Sequence, residues 1–122
     1  MILFVDDEKL PQWFRLPEGT RHARTPESAW SLWMTTEYDV LYLDHDLGEG
    51  MDGSELLQKL CTDGEKPDKV YCISLNPVGV TRIEWACKDH DIPFEDVGRR
   101  MMFDQFPVIG GQSGQGAVQV FI

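Results

Sequence analysis

A chain of 122 residues, 42% hydrophobic and 11% aromatic, has room for one domain with a real core and excludes a disordered acidic tail. Its apolar stretches are short, which excludes a membrane-spanning helix. A net charge of −10, from 21 acids against 11 bases, excludes broad duplex nucleic-acid binding through phosphates.

Ile2–Val5 is a short apolar run, as expected of a central parallel strand buried on both faces, and it ends in Asp6-Asp7-Glu8. That run meets acid before any signal-peptide core forms, so a cytoplasmic location is expected. From Lys9 to Gly19, two prolines and a glycine leave space for a short or broken helix only. Arg21–Arg24 reads as a second, less apolar strand. Thr25 then caps a helix with Pro26 in its first turn, and Trp30 and Trp33 fall at the spacing that packs a helix onto a sheet.

Tyr38–Leu43 is the next strand, ending in Asp44-His45-Asp46. A glycine-rich loop leads to an amphipathic helix from Ser54. Val70–Ser74 is again a strand, and Asn76-Pro77 opens a helix through about Asp89. Ile92-Pro93-Phe94 suits an edge strand, because proline cannot donate to a ladder. Beyond it, Met101–Phe106 reads as a helical turn, Gly110–Gly116 as a loop and Val118–Ile122 as a returning strand. Alternating strands and helices imply a single, small, doubly wound α/β domain over residues 1–122 with a parallel sheet. Cys61, Cys72 and Cys87 match no zinc or disulfide pattern and read as small apolar residues.

Ligands of open parallel sheets bind beyond the carboxyl ends of the strands, where strand order reverses. The acids Asp6, Asp7, Asp44 and Asp46 fall at two such ends. A lone aspartate there commonly forms a turn or a cap, but two clusters after two buried strands suggest converging carboxylates. Their repulsion is relieved by a hard divalent cation, Mg²⁺ or Mn²⁺, which favours few carboxylates and a phosphate. His45, between Asp44 and Asp46, is a candidate acid or base, or a hydrogen-bond partner for a neighbouring carboxylate. His22 and His90 read as surface or packing residues. Ser74 and Asn76, beside a helix start, form a candidate phosphate cradle or a plain cap.

The pattern resembles the receiver domains of two-component signalling: Val5-Asp6-Asp7-Glu8 is similar to their acidic pair, Leu43-Asp44 with Gly50-Met51-Asp52-Gly53 to their phosphoacceptor strand and loop, and Ser74 to their switch hydroxyl. The resemblance implies the receiver (flavodoxin-like) fold, here with a truncated first helix. The receiver Lys-Pro after the fifth strand is missing; the nearest bases there are Arg99 and Arg100. Leu43-Asp44-His45-Asp46-Leu47-Gly48 together with Ser74-Leu75-Asn76-Pro77-Val78-Gly79 resembles, more narrowly, the cyclic-phosphate-processing receiver family, over about residues 2 to 90. Ile73 stands where that family often has histidine, which leaves His45 as the histidine of the motif.

The narrower resemblance implies metal-dependent hydrolysis of cyclic or terminal phosphates on nucleotides or RNA ends, as in bacterial and phage conflict or RNA-processing systems. In this scheme Asp6, Asp7, Asp44 and Asp46 hold the metal, Asp44 and His45 act in catalysis, and Ser74 and Asn76 grip the phosphate. Two alternatives stand beside it: a phosphorylation switch at Asp44, and a non-enzymatic acidic protein that covers a basic protein partner.

Overall fold

The computed structural model describes residues 1–98. Among these residues, five short strands are joined by three α-helices and one 3₁₀ turn: β1 (Ile2–Val5), the 3₁₀ turn Pro11–Phe14, β2 (Arg21–Ala23), α1 (Pro26–Thr35), β3 (Val40–Leu43), α2 (Gly53–Asp63), β4 (Lys69–Cys72), α3 (Pro77–Asp89) and β5 (Phe94–Asp96). The sheet is wholly parallel, in the order β2-β1-β3-β4-β5. After β2 the chain crosses β1 and continues on the other side, so the order reverses between β1 and β3. Val5 and Leu43 are register partners there, which brings Asp6 and Asp44 out of the sheet side by side.

The helix starts follow from their first residues. Thr25 caps α1 and receives the Ser28 N–H, while Ser28 returns a bond to the Thr25 backbone. Serine therefore completes the reciprocal capping box that an acidic residue usually closes. Asp52 and Glu55 make the same exchange at α2. Asn76 caps α3 through the Val78 N–H, with Pro77 in the first turn.

Among the described residues, the three α-helices cover one face of the sheet. Leu3, Val5, Leu41, Leu43, Val70 and Cys72 point there and pack on Ala29, Trp33, Leu56, Leu57, Leu60, Ile83 and Cys87. Replacing a fully buried leucine such as Leu57 by alanine costs about 2–5 kcal/mol in cores of this kind. The strand residues Phe4 and Tyr42, with Ile73 just beyond β4, face the other way, in one cluster with Phe14 of the 3₁₀ turn. Tyr42 and Tyr71 stack at 4.6 Å between ring centroids, extending this second core across the sheet. The 3₁₀ turn is all that stands where a full first helix would lie, so the expected truncation is present. The elements expected at Met101–Phe106 and Val118–Ile122, the loop at Gly110–Gly116, and Arg99 and Arg100 lie outside the described residues.

Smaller expectations meet the structure closely. β3 begins at Val40 rather than Tyr38, whose ring stacks on Trp33 instead. Both tryptophans of α1 pack as expected, with the Trp33 indole donating to the Glu65 carbonyl and that of Trp30 to Asp63. His22 packs edge-on against Phe4, and His90 meets Gln58, joining α3 to α2. The three cysteines are free; Cys72 and Cys87 are buried, and burial pushes both thiols up to about 12. No helix among the described residues is long and apolar enough to cross a membrane.

Candidate metal and phosphate site

Asp6 leaves β1 fully buried and turns the chain back on itself. Its Oδ1 accepts the backbone N–H groups of Glu8 and Lys9 at 2.7 and 2.9 Å. This local turn is what the Asp-Asp-Glu-Lys run encodes, since an aspartate accepts readily from N–H groups two and three residues on. Asp44 leaves β3 beside it, with its N–H bonded to the Val5 carbonyl. Asp6, Asp7 and Asp44 each offer an oxygen within 4.8 Å of the others, which is the spacing of a cation site.

The electrostatics fit a cation as well. The Asp44 carboxyl is pushed up to about 7, first by burial and then by the negative charge of Asp6, with Lys9 opposing. Lys9 was read from sequence only as the start of a broken stretch. Its ammonium lies 3.0 Å from Asp6 Oδ2 and 3.7 Å from Asp44 Oδ1, with the side chain 13% exposed. The carboxylates thus already recruit a positive charge, and their all-oxygen donor set suits a hard ion such as Mg²⁺ or Mn²⁺.

Asp46 sits apart from this group. Its side chain is largely exposed, and its carboxylate stands 3.3 Å from His45 Nδ1 and accepts from Asn76 Nδ2 at 3.4 Å. His45 is buried. Its other nitrogen, Nε2, lies 3.3 Å from Asp52 Oδ2 but off the line of a directed hydrogen bond. Asp52 in turn caps α2 and accepts from Ser54 Oγ at 2.8 Å. Burial raises the Asp52 carboxyl, but the Glu55 N–H, the Ser54 hydroxyl and the neighbouring His45 outweigh it, so the group lies below the ordinary carboxylate range. Hydrogen bonds therefore link Asn76, Asp46 and His45, and His45 faces Asp52 across a 3.3 Å electrostatic contact, from the start of α3 to the start of α2.

Two glycines make this packing possible. A Cβ on Gly79 would meet His45 Cβ and Cγ at 2.5 Å, and a Cβ on Gly53 would meet the Asp44 carbonyl oxygen at 2.1 Å. The first turn of α2 closes onto the Asp44-His45 backbone, and that of α3 onto the His45 side chain, only because both positions lack a side chain.

Ser74 follows β4, buried at 2% exposure, and its Oγ accepts the Asn76 N–H at 3.0 Å. β4 neighbours β3, with Cys72 opposite Leu43 and the Ile73 N–H on the Leu43 carbonyl, so Ser74 and Asp44 leave the same edge of the sheet. Asn76 has two tasks, capping α3 with its oxygen and reaching Asp46 with its amide nitrogen. Lys9 is the residue of this edge that sequence reasoning did not single out, while Asp52, Gly53 and Gly79 stood in its motifs without a role.

The likeness to known proteins follows the geometry. Solved structures with the same fold include a CheY-like response regulator receiver domain from Methanospirillum hungatei, 17% identical over 78% of each chain, with a TM-score of 0.56. A response regulator from Burkholderia pseudomallei, solved with a phosphorylated aspartic acid, calcium ion and citrate, is 17% identical over 98% of this chain and 69% of that one, at 0.58. The N-terminal domain of an uncharacterized protein from Wolinella succinogenes is 21% identical over 88% and 93%, at 0.59. No curated protein sequence matches the chain. The model of the cyclic-phosphate processing receiver domain matches residues 1–89, and the chain belongs to that family.

Proposed function

We propose that this domain is a metal-dependent phosphoesterase acting on cyclic or terminal phosphates of nucleotides or RNA ends. The observation that carries the reading is the triad of buried Asp6 and Asp44 with half-buried Asp7, whose repulsion a divalent cation would relieve at the switch point of a parallel sheet. Those residues would hold Mg²⁺ or Mn²⁺, which when bound polarises a phosphoryl oxygen and favours attack by water. Hydrolysis of a cyclic phosphate then adds water across one P–O bond, leaving a monoester and a free hydroxyl.

The remaining residues bind and orient. The Ser74 hydroxyl uses an oxygen lone pair for the Asn76 N–H and keeps its own hydrogen to donate to a phosphate. The Asn76 amide nitrogen, which donates to Asp46, has a second hydrogen for the same anion, whereas Pro77 carries no N–H and the Val78 N–H is taken by Asn76 Oδ1. His45 is assigned to positioning rather than proton transfer. Both of its ring nitrogens face carboxylates other than Asp44, and the Gly79 backbone closes over the ring. Asp46 likewise serves by holding Asn76 and His45, outside the metal's own ligands.

Incubation of the purified protein with 2′,3′-cyclic nucleotides, cyclic oligonucleotides and RNA ending in a cyclic phosphate, with Mg²⁺ or Mn²⁺, tests this reading. Turnover that vanishes with chelator and in Asp44→Asn supports it; a folded protein inert toward all of them refutes it.

One observation favours a second reading, a phosphorylation switch with Asp44 as acceptor. The absence of a lysine after β5 counts against it on sequence, yet Lys9 brings an ammonium to Asp44 from the opposite side of the chain. Acetyl phosphate with Mg²⁺, followed by intact-mass measurement, separates the two. An added phosphoryl mass that is absent in Asp44→Asn supports the switch, and an unchanged mass removes it.

A further inference from the structure

We infer that Lys9 is the phosphate-gripping cation of this site, held in reserve on the carboxylates until a divalent ion displaces it. The inference rests on the reading of the site as one for metal and phosphate, but not on which reaction follows.

Two features of Lys9 carry it. Its backbone N–H is fixed to Asp6 Oδ1 at 2.9 Å, so its main chain belongs to the turn that shapes the site. Its ammonium, at the end of a flexible four-carbon stem, rests on Asp6 Oδ2 and close to Asp44 Oδ1. These two residues, with Asp7, form the group suited to a divalent ion. Ammonium and ion cannot share those oxygens, because their mutual repulsion at contact distance is strong in a buried setting.

An arriving ion therefore evicts Nζ without moving the Lys9 backbone. The freed head stays within a stem's length of the metal, and a phosphate drawn to that metal is the anion placed to receive it. Such a contact is charge-assisted and stronger than one to a neutral donor. The exchange also ties the two ligands together, since Lys9 becomes available to phosphate only once metal is present. Arg24, whose guanidinium reaches the Asp7 carbonyl at 3.4 Å, is exposed and touches none of the triad's carboxylates, which makes it a control.

The test compares wild type with Lys9→Met, Lys9→Arg and Arg24→Gln, after melting curves establish that each is folded. Mn²⁺ affinity is read from the paramagnetic resonance of free Mn²⁺, and inorganic phosphate affinity by calorimetry at saturating Mg²⁺. Lys9→Met is expected to bind Mn²⁺ at least as tightly as wild type, having lost the competitor, and to bind phosphate about tenfold more weakly, a difference of about 1.4 kcal/mol. Lys9→Arg retains most of the phosphate affinity, and Arg24→Gln matches wild type. Equal phosphate affinity in wild type and Lys9→Met overturns the inference, as does absence of metal-dependent phosphate binding in wild type. Failure of the phosphoesterase reading would be seen separately, as no turnover of 2′,3′-cyclic nucleotides by a wild type that still differs from Lys9→Met in phosphate binding.

Discussion

Gly79 lies so close over the His45 ring that a side-chain carbon on it would come within 2.5 Å of His45 Cβ and Cγ. Helix α3 and the Asp44-His45 segment are thereby locked at a separation only glycine permits. Gly79→Ala must push the ring or the helix aside, which typically costs about 1–3 kcal/mol in a well-packed interior. Because His45 is tied to Asp46, and Asp46 to Asn76, the displacement also reaches the residues proposed to bind phosphate. A melting temperature lowered by several degrees, with weakened phosphate binding, is the expected result. An unchanged melting curve would mean that α3 can retreat freely.

The assignment of His45 to positioning predicts a distinctive pair of variants. His45→Gln keeps hydrogen-bonding atoms near Asp46 and Asp52, so turnover should fall by about tenfold or less with the same pH profile. A residue that transfers the proton contributes about 10²–10⁴-fold, and glutamine cannot replace it. His45→Leu fills the space without bonding either carboxylate and should weaken phosphate binding more than His45→Gln does. A loss of a hundredfold or more in His45→Gln, with one limb of the pH profile gone, would return the histidine to the chemistry.

Much of this was readable in advance because strand ends and helix caps are local. The apolar runs before Asp6 and Asp44, the Thr25-Pro26 and Asn76-Pro77 starts, and the proline before β5 each announce an element through its own neighbours. The triad was legible for the same reason, as the fold rule places ligands at those ends. Lys9 was not. A lysine three residues beyond an aspartate has no periodic signature, and a cationic partner for Asp44 was sought after β5, whereas the Asp6 turn folds one back from β1. Asp46 was grouped with the metal ligands because it sits two residues from Asp44. The turn after β3 instead sends its carboxylate to His45 and Asn76.

Asp44→Asn should make the metal-free protein more stable at neutral and higher pH. In the folded chain the Asp44 carboxyl is raised to about 7, above its value of about 4 in an unfolded chain. The native state therefore holds this proton more tightly, and stability from Asp44 is greatest below about pH 4, declines as pH rises, and is fully lost above about 7. Asparagine has no charge to bury beside Asp6. Melting in chelator at pH 5 and pH 8 should show a gap in favour of Asp44→Asn that is larger at pH 8, on the order of several degrees for a domain of this size. A gap that shrinks at pH 8 would contradict the raised carboxyl.

The same proton must leave when a metal ion binds, and this fixes how metal affinity depends on pH. Below about pH 7 the ion has to displace one proton from Asp44, so affinity should rise by up to about tenfold per pH unit. Above that point Asp44 is already ionised, and its contribution to the dependence levels off. The ion also stabilises the fold by mass action, by about 2.7 kcal/mol at a concentration one hundred times its dissociation constant. Mg²⁺ should therefore raise the melting temperature strongly at pH 8 and weakly at pH 5, and chelator should reverse the rise. Mg²⁺ titrations at half-unit steps from pH 5 to 8.5 measure the bend directly. A dependence flat across that range would show that Asp44 is ionised throughout, or that the ion is held without it.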